Sequence, residues 1–284
     1  MNFLWHIAIL IGSWLPGAFV YTLILGKGKI LHFGPVGVSL AGSYATFITL
    51  MQTGSYPLAL AAGLLTALII SALFAWLSLR LEPDGFGVMS IAVHLAILSI
   101  ILNWSSLTRG ALGIPRIPRA PFPLSIEGFA ITTLLLSAFC FFFMRWIERS
   151  SLGRELGALA EHSWHAAALG ISRAKVHFLV FSLGAIVAVV DALVFTQYIA
   201  LLHPNDYQFA NLIFFVTLVV AGKPGSIVGV TLATILLVVL REGLRFVPFP
   251  ADILGPVRLM LFGAILFAAV WYRRDTLFPK QRSI

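Results

Sequence analysis

Long apolar runs recur along the whole chain with only short polar or Pro/Gly-rich breaks between them, and no other feature limits the fold as strongly. A run of roughly 20 apolar residues crosses a hydrocarbon core about 30 Å thick as a helix. Inside that core every backbone N–H and C=O must be paired within the helix or in a closed barrel. Barrel strands would show as alternating segments of about 10 residues, a pattern absent here. With 60% hydrophobic and 11% charged residues, against about 25% charge in soluble domains, the chain reads as an all-α polytopic membrane protein. The runs predict about nine spanning helices, at 3–25, 30–51, 57–79, 86–103, 126–147, 176–200, 208–222, 226–246 and 255–272. No Lys or Arg precedes the first run and no small-residue cleavage site follows it, which predicts a retained helix and not a signal peptide. No long soluble stretch intervenes, so residues 1–284 read as one transmembrane domain.

One polar island breaks this pattern. Residues 148–175, ERSSLGRELGALAEHSWHAAALGISRAK, are too charged to lie in lipid. They alternate small apolar and charged residues, as a short helix does when it lies against something. That helix is expected from about Arg154 to Leu169, with Gly170 as its C-terminal cap. Either a plain interfacial helix on lipid or a helix seated in a protein groove fits; two glutamates and the small cluster AAALG suit the groove better than an anionic membrane. With the island cytoplasmic, strict alternation places thirteen of the nineteen Lys and Arg residues inside: Lys27, Lys29, Arg80, Arg145, Arg149, Arg154, Arg173, Lys175, Lys223, Arg273, Arg274, Lys280 and Arg282. Arg109, Arg116, Arg119, Arg241, Arg245 and Arg258 fall outside. The positive-inside tendency therefore predicts an N-terminus outside and a C-terminus in the cytoplasm. The net charge of +8 is read as this orientation signal at an anionic lipid face, not as a nucleic-acid footprint.

Polar residues inside the apolar runs mark candidate function. Segment 30–51 carries Gly34, Pro35, Gly37 and Gly42 together with Ser39, Ser43, Thr46 and Thr49, and it is expected to be a broken helix. Broken helices persist in membranes where protein or a wet cavity pairs the freed backbone groups, whereas close packing through small residues accounts for the same composition. Ser39, Gly42 and Ser43 are the pathway candidates there. Asp191 sits mid-run in GAIVAVVDALVFTQYI, where a carboxylate costs about 2.5–3.5 kcal/mol on the permissive insertion scale. It must face protein or water, either touching a cationic or amide-bearing solute or hydrogen-bonding a neighbouring helix or subunit. Residues 104–125, with four prolines and three arginines, are expected to form a rigid irregular lid.

Several chemistries have no support. There is no GxxxxGK[ST] loop to cradle phosphates, so ATP is not hydrolysed by this chain. The seven histidines are scattered and no HExxH appears, no GxSxG elbow is present, and the lone Cys140 lies inside an apolar run. No metal or other cofactor is expected. A self-sufficient secondary transporter would need ion-coupling carboxylates and an inverted repeat, and Asp191 is the single buried candidate.

In five places the chain resembles the membrane-spanning subunits of branched-chain amino acid ABC importers. The run LILGKGKILHFGPVGVSLAGSYATF at 23–47 lies without gaps along that family's early pattern, with Gly26, Leu31, Phe33, Gly34, Gly42 and Tyr44 matching. ILNWSSLTRGALGIPRIP at 101–118 looks like its LNW, LTGG and GIP segment. In the island, Gly153, Arg154, Glu161, Ala166, Ala167, Leu169, Gly170 and Ile171 hold the places of its coupling region. The turn GKPGS at 222–226 resembles its GGLGS turn, and LFGAILFAAVWYRRDTLFP its closing helix and basic tail. His32, Pro35, Lys223-Pro224 and Asp191 depart from it. The resemblance implies a permease half in a bacterial inner membrane, paired with a second, similar permease, two ATP-binding subunits that hold ATP-Mg, and an extracytoplasmic substrate-binding protein. It implies Arg154, Glu161, Ala166, Ala167 and Gly170 as ATPase-coupling residues in a cytoplasmic loop at 148–175. The solutes implied are branched-chain or other amino acids, with urea or short amides as the alternative.

Overall fold

The computed structural model describes residues 2–119, 125–246 and 251–272; the basic tail expected at 273–282 and part of the proline-rich loop lie outside the described residues. Among the described residues, nine helices fall at the predicted spans. They are α1 (Asn2–Tyr21), α2 (Pro35–Thr53), α3 (Tyr56–Arg80), α4 (Pro83–Asn103), α6 (Ile126–Arg149), α9 (Arg173–Ile199), α10 (Phe209–Ala221), α11 (Ile227–Gly243) and α12 (Ala251–Tyr272). Between them lie the one-turn α5 (Ser105–Thr108), the two island helices α7 (Ser151–Glu161) and α8 (Ser163–Ala168), and a two-residue ribbon pairing β1 (Ile114–Pro115) with β2 (Leu201–Leu202). Seven of the long helices are apolar and long enough to cross a membrane by themselves, and α10 is a shorter apolar helix.

The helix starts follow from sequence. Proline occupies the first turn of α2, α3 and α4, where its missing N–H would be unpaired in any case. Ser125, Ser172 and Ser226 cap α6, α9 and α11 by accepting from the backbone N–H groups of Gly128, Lys175 and Gly229.

Successive spans run between two ends. At the island end, Lys27 donates to the Glu148 carbonyl, Arg173 donates to the Ser78 carbonyl, and Gly26 lies so close to Gly225 that an added Cβ would overlap its backbone. At the opposite end, His6 bonds Tyr198, Tyr56 donates to the Pro118 carbonyl, and the β1–β2 ribbon ties the loop after α5 to the segment after α9. The segment expected to be an irregular lid carries α5 and a 3₁₀ turn (Gly110–Leu112) before the ribbon, and its residues 120–124 lie outside the described residues. The helices approach closely through small residues: a Cβ on Gly63 would collide with Thr46 Oγ1, and one on Gly12 would meet Thr133. With lipid as apolar as leucine, this packing supplies much of the association between helices.

Two expectations are corrected. Segment 30–51 is not broken in its middle: α2 runs unbroken from Pro35 to Thr53, and the non-helical stretch lies ahead of it, up to Gly34. Pro35 is tolerated because it sits in the first turn, and Gly37 and Gly42 pack against His94 and Val189 without disturbing the helix. The irregular spanning helix is α1, whose ladder widens to a π-turn over Thr22–Lys27. The island is likewise two helices, because His162 is extended (φ −147°, ψ 96°) and separates α7 from α8.

Candidate functional site

A half-enclosed cavity of about 180 Å³ lies among α1, α2, α9, α10 and α11. Its floor is Val20, Tyr21, Pro35 and Val36, toward the island end; Asp206, Asn211, Arg241 and Glu242 line it toward the opposite end. Trp14, Phe195 and Phe215 give it aromatic walls, and Ser13, Ser39, Asp191 and, in the last turn of α9, Thr196 supply polar groups. Trp14 and Phe215 stand 4.9 Å apart by ring centroids, and Tyr21 stacks on Phe215 at 5.3 Å.

The predicted pathway residues divide. Ser39 and Asp191 are on the cavity wall. Asp191 is half-buried, and among the described residues no hydrogen bond or ion pair holds its carboxyl. Ser43 lies one layer behind: it accepts from the Tyr207 hydroxyl at 3.1 Å and donates to the Ser39 carbonyl at 2.6 Å. Ser39 in turn donates to the Ala188 carbonyl at 3.3 Å. These bonds tie the 3₁₀ turn Pro204–Tyr207 to α2, and α2 to α9. Gly42 does not reach the cavity; its open side faces Val189, Ala67 and Gly63, so it serves helix packing.

Other residues of the site carried no motif. Arg241 lies over the rings of Trp14 and Phe214, 5.3 Å from each centroid. Glu242 pairs with Arg245 at 2.9 Å. Asp206 stands exposed at the wall; desolvation raises its carboxyl above the usual range, opposed by the charges of His203 and Arg241. Burial pushes the Tyr207 phenol up to about 12, opposed by the hydrogen bond to Ser43, so the hydroxyl remains a donor at neutral pH. In sequence these groups flank the ends of α9, α10 and α11; only the crossing of those helices with α1 brings them together.

At the island, α7 is clamped to the body by Leu156, which is 1% exposed, and Ser150 caps it by accepting from the Gly153 N–H. Arg154 and Glu161 are exposed, Arg154 donating to the Arg149 carbonyl at 2.8 Å. Ala166 is 2% exposed and turned toward the body, whereas Ala167 and Gly170 are open. Gly170 has φ +80°, and the N–H groups of Gly170 and Ile171 bond the carbonyls of Ala167 and Ala166. That pair of bonds is a Schellman closure of α8. Trp164 and Leu169, 87% and 80% exposed, stand out from α8. A tryptophan in a polar segment was the one sequence signal that could have found this face.

The family described as branched-chain amino acid transport system, permease component, matches residues 4–270. The high-affinity branched-chain amino acid transport system permease protein LivM of Escherichia coli K12 is 27% identical over 92% of this chain and 68% of its own length. The corresponding LivH of Salmonella typhimurium is 31% identical over 74% of this chain and 75% of its own, and BraD of Pseudomonas aeruginosa 29% over 83% and 81%. Among solved structures, PsaBC from Streptococcus pneumoniae in complex with Fab aligns over 95% of this chain and 93% of its own at a TM-score of 0.51 and 12% identity, a likeness of fold alone.

Proposed function

The chain belongs to the permease components of the branched-chain amino acid transport systems, and we propose from that premise that it is one membrane-spanning half of an ATP-binding-cassette importer for small zwitterionic solutes, branched-chain or other amino acids. The pairing partner is a second, homologous permease, a reading supported by the similarity to both LivM and LivH. Two ATP-binding subunits supply ATP hydrolysis and a substrate-binding protein delivers the solute from outside. The island end faces the cytoplasm of a bacterial inner membrane, with the N-terminus outside and the C-terminus inside. Residues 148–175 form the coupling loop of a single permease domain.

The observation that carries this reading is the division of labour in the island. Its first helix is locked to the body through Leu156, while its second presents Trp164 and Leu169 to the outside, both largely uncovered by this chain. A large, rigid aromatic beside small residues is the anchor a protein groove takes up. Motion of an ATPase cleft around α8 passes through α7 to α6 and α9, and α9 carries Asp191 on the cavity wall. Ser39 and Asp191 are the pathway residues of this half, with Ser43 positioning them. Arg154, Glu161, Ala167 and Gly170 belong to the docking face, and Ala166 holds α8 in place.

Co-purification tests the reading. A tagged copy expressed with its chromosomal neighbours should bring down an ATP-binding subunit and a second permease in fixed stoichiometry. Recovery of the tagged chain alone, in mild detergent and with intact transport, would overturn it.

A further inference from the structure

The carboxyl of Asp191 lies in the middle of α9 on the wall of the cavity, without a hydrogen-bond or ion-pair partner among the described residues. The other charges lining the cavity have opposite charges beside them. Glu242 is bridged by Arg245, and Asp206 and Arg241 attract one another. Asp191 is left as the one acid whose counter-charge is not supplied by these neighbours. An ionised carboxyl at membrane depth is retained only where something compensates it.

The walls beside it narrow the chemistry of that partner. Trp14, Tyr21, Phe195 and Phe215 surround the same space. Arg241 already lies over Trp14, and Tyr21 stacks on Phe215, which leaves Phe195, one turn of α9 from Asp191, as the ring to face a solute. Aromatic faces attract cations and not anions. The volume of about 180 Å³ exceeds by roughly an order of magnitude the 10–15 Å³ that one water needs, so a solute fits.

Resting on the importer reading above, we propose that Asp191 is the counter-charge for a positively charged nitrogen of the transported solute, an ammonium or guanidinium held between the carboxylate and the aromatic wall. The nitrogen is either the α-ammonium of an amino acid or a cationic side chain.

The test is ATP-driven uptake by the whole importer in proteoliposomes, at matched complex abundance. The solutes are leucine, lysine and 4-methylpentanoate, which lacks nitrogen. Wild type should take up at least one amine-bearing solute, and Asp191→Asn should reduce that uptake about tenfold or more, the scale of a lost charged hydrogen bond. Asp191→Glu should retain more uptake than Asn, because it keeps the charge despite its extra methylene. Loss for leucine and lysine alike assigns the α-ammonium, and loss for lysine alone assigns the side chain. Losses below about tenfold for every amine in the Asn variant, uptake by Asn equal to or above that by Glu, or equal losses for 4-methylpentanoate would overturn the inference while leaving the importer intact. No ATP-driven uptake by wild type would overturn the importer reading, and the inference with it.

Discussion

His32 shows how one buried ring fixes the segment that leads into a helix. It stands ahead of α2, 2% exposed, with its ring 4.5 Å from that of Phe181 and 4.6 Å from that of Phe74. The ring accepts from the Gly34 N–H at 3.3 Å, which fixes the turn into the helix. His32→Ala, which empties this aromatic nest, should lower the thermal midpoint of the purified complex, as a buried ring lost from a packed core does; an unchanged midpoint would contradict the account. Ser39 and Asp191 were legible in the sequence because a polar side chain inside an apolar run has to be accommodated. Arg241, Asp206 and Tyr207 were not, because each sits at the end of a run, where polar residues are ordinary; their role depends on which helices cross.

Among the elements, α7 and α8 make the sharpest case. Gly170 marked the end of the island helix in sequence, and the structure places a Schellman turn there; the start, expected at about Arg154, lies at Ser151, where Ser150 caps the helix. The break at His162 was hidden, since Glu161, His162 and Ser163 are all compatible with a continuing helix; the turn is imposed by packing Leu156 and Ala166 against the body on separate helices. The same tertiary override explains α2, where glycines that could have interrupted a helix instead let α3 and α4 approach. If α8 is the docking element, Trp164→Ala or a bulky residue at Gly170, such as Gly170→Leu, should lower solute-stimulated ATP hydrolysis about tenfold, the cost of a moderate interface hot spot, with the subunit still inserted. Unchanged stimulation in both variants, measured in reconstituted vesicles, would assign the island to the lipid surface.

For the whole molecule, the apolar runs that form the long helices among the described residues were readable from hydropathy because each run must bury its own backbone, whereas which run packs on which was not. The orientation proposed from the charge distribution has its own test: a cysteine at Ser125 should react with an impermeant thiol reagent from outside, and one at Ser283 should not, with Cys140 silent because it is buried. Labelling of the opposite sidedness would move the island to the exterior. The central claim, that this chain carries solute only as part of an ATP-driven assembly, is tested most directly by uptake of labelled leucine or lysine into proteoliposomes holding the co-purified complex with its binding protein outside. The account predicts accumulation that requires ATP in the compartment facing the island and survives collapse of all ion gradients. Uptake by the chain alone, without ATP and abolished by collapsing an ion gradient, would contradict it.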